Sequence, residues 1–375
     1  MSDTTFYVRL LSAAACAAFL AVGAALLVGC AGERPILLER PSNSVAGATE
    51  SSAVDASGLA PSSGESGVRS LSSIVEEESA ATASVIVLET AIGEASADGN
   101  ISEAPPGVNA MITPTGVVLP VIGQAAAGYL TTTPCGTAAI IRWGQPVGPV
   151  QVVVDPGHGG DERGAIGENG LAEATVNLQV ARQVAAELTE RGISVVLTRN
   201  ADYRLPITER VALADALEAQ AFVSIHHNSP AAVPSASPGT EVYVQSRSAE
   251  ASRLGGLIHQ QVTAGLDRFN VPWVARSDAG VLSVLNEDGE DAYGIIRRPS
   301  APSALVEVAY LGNADEAELM ESASYIESVG QAVAVAMEQY LTTDAGGTGQ
   351  IPTPRVFNPS GETGGNEGCV DPPLG

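Results

Sequence analysis

Between about residue 148 and residue 342 the chain alternates short apolar runs with longer stretches whose apolar positions recur at helical spacing. Val152–Val154, Ile193–Leu197, Ala221–Ile225, Glu241–Val244 and Ala304–Val308 have the length and branched side chains of strands. Leu171, Val176, Leu178, Val180, Val184 and Leu188 lie on one helical face up to Glu190, and Gly192 supplies a stop. The same spacing predicts helices over Ile207–Leu217, Ala249–Phe269 and Ser322–Leu341. Strands separated by such helices predict an α/β fold, with one mixed, mostly parallel sheet flanked by helices across residues 148–342.

The flanks read differently. Residues 30–147 are dominated by Ser, Ala, Gly, Glu and Pro, a composition that buries too little apolar area to offset chain entropy. They are predicted to be a disordered, low-complexity tether with a short lead-in to the domain. Gly116–Gly123 and Ala138–Trp143 read as strands there, and Ser84–Leu88 is an apolar run without an evident partner. Residues 343–375 return to Gly, Pro, Thr and Asn and predict a disordered tail.

At the N-terminus, Arg9 precedes an apolar stretch from Leu10 to Val28, followed by Gly29 and Cys30. A basic head, an apolar run and small residues before a cut describe a secretory signal over residues 1–29. Leu27-Val28-Gly29-Cys30 resembles a bacterial lipoprotein box, which makes Cys30 the expected lipidation site and membrane anchor. A plain membrane-spanning anchor is the alternative. Either reading puts the rest of the chain outside the cytoplasm, in the cell envelope. Apart from Cys16 in the leader and Cys30, only Cys135 and Cys369 remain. An even pair in an oxidising compartment is a disulfide candidate, against two free thiols.

Charge narrows the partners. The net charge is −25, and the 18 basic residues are all Arg. Such a field repels phosphate backbones, so nucleic acid is excluded as a partner. The glycines at 157–167 are no phosphate cradle either, because the dinucleotide pattern needs Gly at 162, which is Glu.

Four polar residues fall where an α/β sheet would present them. His158 follows the first strand, Glu173 opens the first helix, His226 closes the third strand, and Glu307 interrupts an otherwise apolar last strand. A carboxylate in such a strand is costly unless paired or coordinated. It asks either for an ion pair, with Arg297 or Arg298, or for a chemical task. Two imidazoles and a carboxylate make a zinc set with one coordination position left open, and a second carboxylate can then act as general base. Asp155 and Asn228 adjoin the ligand positions and are expected to orient them by hydrogen bonds. Arg199 and Arg210 are expected to anchor helices to strand ends, and His259 to lie on the surface.

Val154-Asp155-Pro156-Gly157-His158-Gly159-Gly160 resembles the signature of the zinc-dependent N-acetylmuramoyl-L-alanine amidases, bacterial cell-wall hydrolases of the type-3 amidase family. Further blocks follow in that family's order: Glu173 with Asn177, Leu197-Thr198-Arg199, Glu209-Arg210, Ser224-Ile225-His226-His227-Asn228, Gly239-Thr240-Glu241-Val242-Tyr243, and Leu305 to Asn313. The resemblance implies Zn2+ held by His158, Glu173 and His226, with Glu307 as catalytic base. It also implies a peptidoglycan substrate, cleaved at the amide between N-acetylmuramic acid and L-alanine. An inactive peptidoglycan-binding protein and a zinc peptidase or deacylase on another envelope amide are the alternatives. The family usually has a small residue where this chain has His227, so His226 is chosen by motif, with His227 the alternative ligand. Some relatives carry an inhibitory helix between the positions of Tyr243 and Arg297. Only one helix fits there in this chain, and Asn286–Asp291 predicts a solvated acidic loop. Stem-peptide preference, any protein activator and the membrane that holds the anchor are not specified by sequence.

Overall fold

The computed structural model describes residues 86–87, 101–229, 232–358 and 365–375. The leader, Cys30 and most of the tether lie outside the described residues. The segment expected to be a mere lead-in is a small sheet. Strands β1 (Ile86–Val87), β2 (Ala110–Ile112), β3 (Val118–Ala125), β4 (Gly128–Thr132), β5 (Ala138–Ile141) and β6 (Gln145–Val147) pair antiparallel in the order β1-β5-β4-β3-β2-β6. The run at Ser84–Leu88, expected to lack a partner, lies beside β5 through Ile86 and Val87.

The central sheet contains β7 (Val152–Pro156), β8 (Val195–Leu197), β9 (Ala221–Asn228), β11 (Glu241–Val244), β13 (Val281–Leu282) and β15 (Ser303–Tyr310). Its order is β13-β11-β15-β9-β7-β8. The β11–β15 pairing is antiparallel and the other pairings are parallel. Strands β10 (Val233–Ser235) and β12 (Trp273–Ala275) form a separate antiparallel pair, and a short helix, α5 (Ala314–Met320), follows β15. Alternation along β7 explains how both faces are filled, since successive side chains point to opposite sides. Val152 and Val154 pack with helices α1 (Glu173–Glu190), α3 (Ala249–Leu266) and α6 (Ala323–Thr342). Val153 faces the other way, with Phe222, Tyr243 and Leu305, against α2 (Ile207–Ala216) and the short α4 (Gly294–Arg297). Ala110 and Val118 of the small sheet join that second core. The lead-in is therefore ordered because it covers apolar area that the helices leave open.

The tail departs most from expectation. Strands β14 (Val284–Leu285) and β16 (Arg355–Val356) pair in parallel, and Ile351 N donates to the Val281 carbonyl at 2.8 Å. Leu374 is buried with Val117, Leu119, Ile141, Tyr203 and Leu205. Cys135 and Cys369 form a disulfide with Cα atoms 5.6 Å apart. Backbone pairing along a sheet edge, a salt link through Arg355 and a covalent tie hold a segment whose composition alone would not. Helix α3 is half-covered by the same tail, so His259 is not free on the surface. Its Nδ1 lies 3.1 Å from Thr348 Oγ1. Among the described residues, no helix is long and apolar enough to cross a membrane.

Candidate metal centre

Strand β7 ends in Gly157-His158-Gly159-Gly160, a turn that folds back over the carboxyl ends of the central strands. His158 sits at φ +60°, a left-handed conformation that a residue with a Cβ seldom adopts. Gly157 is required by packing, because a Cβ there would collide with the ring of His226. The turn is fixed from beneath by two arginines. Arg199 Nε donates to the Pro156 carbonyl at 3.0 Å and its Nη2 to the Gly157 carbonyl at 2.9 Å. Arg210 Nη2 donates to the His158 carbonyl at 2.8 Å.

Glu173 opens α1, where its buried carboxylate accepts from Ala165 N at 2.9 Å and from His227 N at 3.2 Å. The carboxylate stands between two imidazoles. His158 Nε2 is 3.2 Å from its Oε2, and His226 Nδ1 is 2.9 Å from its Oε1. One donor atom from each of His158, Glu173 and His226 lies within 4.8 Å of the others. The two rings meet edge to face, with centroids 4.8 Å apart.

His227 turns to the opposite face of β9. It is buried, its Nδ1 is 2.7 Å from Asn177 Oδ1 and its Nε2 is 2.9 Å from Tyr325 Oη. Burial pulls its pKa down to about 3, so it stays neutral in the fold.

Glu307 is the register partner of His226 on the adjacent strand β15. Its Oε2 is shielded from solvent and has no hydrogen-bond partner among the described residues. The ion pair with Arg297 or Arg298 is not formed. Arg297 Nη1 donates to the Asp291 carbonyl and Arg298 Nη1 to Thr208 Oγ1. Burial, then the charges of Glu173 and Glu241, raise the Glu307 carboxyl well above the usual range.

Burial by itself would lower the pKa of His158. The contacts with Glu162 and Glu173 outweigh it and lift the imidazole to about 9. Glu173 is held low despite its burial, because both imidazoles favour its charged form. The arrangement thus draws positive charge to the point where the three donor atoms meet. That field and that donor set, two imidazoles and a carboxylate, fit a divalent metal such as zinc.

Two of the expected orienting residues act elsewhere. Asp155 accepts from Thr198 Oγ1, Arg210 Nη1 and Ser224 Oγ, so it reaches His158 only through Arg210 and the backbone. Asn228 Nδ2 donates to Glu241 Oε2, at 3.3 Å, and not to a ligand. Both side chains share the sheet face of His226, Asn228 two residues along β9 and Asp155 opposite Ser224 across the strand pair, but their polar atoms are taken up by these other partners. Glu162, which was not anticipated, stands 3.6 Å from His158 Nδ1. An acid four residues beyond a turn histidine was the available signal, but only the folded turn brings the two together. Arg199 and Arg210 anchor the turn, and Arg210 also borders the cleft.

The cleft over these residues has a volume of about 670 Å³. His158, His226, Glu162 and Glu307 line it together with Tyr293 and Phe357.

Residues 152–339 match the N-acetylmuramoyl-L-alanine amidase family. The chain is 35% identical over 213 residues to the uncharacterized protein YqiI of Bacillus subtilis (strain 168), covering 56% of this chain and 92% of that one. It is 31% identical over 219 residues to N-acetylmuramoyl-L-alanine amidase AmiC of Neisseria meningitidis serogroup B, covering 51% of this chain and 53% of that protein. The chain thus spans about half the length of that amidase. Among solved structures, N-acetylmuramoyl-L-alanine amidase AmiC2 of Nostoc punctiforme is similar at 33% identity with a TM-score of 0.44, covering 51% of this chain and 97% of that one.

Proposed function

Starting from the fact that the chain belongs to the N-acetylmuramoyl-L-alanine amidase family, we propose that it is a zinc hydrolase of peptidoglycan. It cleaves the amide between the lactyl group of N-acetylmuramic acid and the L-alanine of the stem peptide. The observation that carries this reading is the meeting of His158 Nε2, the Glu173 carboxylate and His226 Nδ1 beside Glu307, in one open cleft.

His158, Glu173 and His226 would hold the metal, leaving one position open to the cleft. When bound, zinc supplies Lewis acidity toward the amide carbonyl and toward water. Glu307 accepts a proton from the attacking water and returns it to the departing amine nitrogen, so the C–N bond breaks with no net change in its own charge. Its shielded, unpartnered oxygen suits that exchange, because no competing donor ties up the carboxylate. Glu162 steadies the His158 ring from the Nδ1 side, and Arg199 and Arg210 hold the turn that carries it.

The envelope is the expected place of action, with Cys30 as the lipidated anchor on the outer side of a membrane. Purified protein should contain about one zinc per chain and release stem peptides from isolated sacculi. Zinc without release would point to an inactive wall-binding protein. Release only from amides lacking the muramyl group would point to a different envelope substrate. Cys30-dependent incorporation of a lipid precursor tests the anchor.

A further inference from the structure

The family match ends at residue 339, yet the chain brings a later segment back to the cleft. Arg355 is the nail that fixes it. Its Nη1 donates to Glu241 Oε2 at 2.7 Å, its Nη2 to Glu241 Oε1 at 3.0 Å, and its Nε to Asp278 Oδ2 at 2.8 Å. Glu241 is fully buried and is the register partner of Glu307, so the anchor lies on the same sheet face as Glu307, one strand over. Phe357 N donates to the Leu285 carbonyl at 2.9 Å, and Asn358 exchanges hydrogen bonds with Glu287. Phe357 is therefore held by its own backbone N–H and by the side chain of Asn358 next to it.

Phe357 itself remains 46% exposed, with its ring tilted against Tyr293 at a centroid distance of 5.8 Å. Tyr293 in turn meets Tyr243 edge to face at 5.4 Å. A large apolar ring held open on a fixed backbone, inside the cleft that holds His158, His226 and Glu307, asks for a partner that arrives with the substrate.

We propose that Phe357, backed by Tyr293, is a substrate-binding residue on which the pyranose ring of the muramyl group stacks, with Arg355 as its positioning residue. This rests on the peptidoglycan reading above. The broad C–H face of a pyranose is the largest flat apolar surface such a substrate offers, and it complements the negative face of an aromatic ring. The beginning of the stem, with small and acidic residues, offers nothing comparable.

The test is equilibrium binding of two probes that contain no scissile amide, peptide-free glycan oligomers carrying muramyl lactate and free stem peptides. Phe357→Ala should weaken glycan binding about three- to tenfold while leaving stem binding unchanged, the range expected for one aromatic contact. Phe357→Tyr should keep the parent affinity, and Phe357→Leu, apolar but not flat, should behave like the Ala variant. Unfolding midpoints equal to the parent's would show that the variants fold as the parent does. Unchanged glycan binding in Phe357→Ala, a loss confined to the stem probe, or no glycan binding by the parent would each overturn the proposal. Stem release from sacculi is scored separately. A parent that binds glycan through Phe357 but releases nothing would sink the hydrolase reading and leave this one standing.

Discussion

His226 and His227 are consecutive residues of β9 whose rings serve opposite faces of the sheet. His226 Nδ1 meets the Glu173 carboxylate at 2.9 Å, while His227 Nδ1 meets Asn177 at 2.7 Å in the core. His226→Ala is expected to lower zinc retention by well over tenfold, since it removes one of the three proposed ligands. His227→Ala should keep most of the metal and lose stability instead. Metal content after gel filtration in a weak chelator decides between them, and the reverse pattern would falsify the assignment.

Glu307 is proposed to move the proton, and His226, its neighbour across the strand pair, to hold the metal. Glu307→Gln preserves shape and removes the proton acceptor. Hydrolysis of sacculi should fall by about 10²–10⁴-fold with zinc content unchanged. Loss of metal together with activity would instead make Glu307 a ligand.

The acid limb of stability should carry the signature of His227. Its pKa is lowered to about 3 in the fold, from 6.5. The unfolded chain takes up a proton below about pH 6.5 that the folded chain refuses, so this contribution is complete above 6.5 and declines as pH falls toward 3. The slope is about 1.4 kcal/mol per pH unit for one proton. His227→Gln should be less stable at pH 7.5 yet lose less on acidification to pH 5. Urea unfolding at both values checks it, and parallel losses in the two proteins would rule His227 out as the source.

Arg355 closes a buried pair from outside the family-matched region. Arg355→Gln leaves the carboxylate of Glu241 buried without its cation, a change expected to cost about 3–5 kcal/mol. Double substitution with Glu241→Gln should recover part of that loss. Chemical denaturation of the four proteins gives the coupling directly.

The Cys135–Cys369 disulfide ties the small sheet to the tail across 234 residues of sequence. Removing it through Cys135→Ser with Cys369→Ser is expected to cost about 2–5 kcal/mol. Limited proteolysis should then cut first within the released tail. Unchanged stability and an intact tail would show that Arg355, β16 and Leu374 suffice.

Much of the catalytic unit was legible because local patterns and local chemistry coincide there. Glu241–Val244 matches its strand to the residue, and the helices over α1, α2, α3 and α6 depart from their expected bounds by at most a few residues at the ends. His158, Glu173, His226 and Glu307 stood out by their joint placement, at two strand ends, at a helix start and inside an apolar strand, where any one of them alone would equally suit a structural role. Glu162 was missed because nothing in its immediate surroundings shows that the turn folds back upon His158. Asp155 and Asn228 lay next to ligand positions, but Thr198, Arg210 and Ser224 occupy the one and Glu241 the other, partners that only the folded sheet brings within reach.

By itself, the sequence determined the alternating elements, the four candidate side chains of the proposed site and the family the chain belongs to, since all of these rest on neighbours along the chain. Tertiary structure alone decided that residues 101–147, 343–358 and 365–375 are parts of the folded unit. Their order comes from backbone pairing along strands, coverage of an open core, the pairs of Arg355 and a disulfide. Backbone hydrogen bonds are the same for every residue but proline, so pairing of this kind leaves little mark on composition, and it exists only once distant strands have been brought side by side.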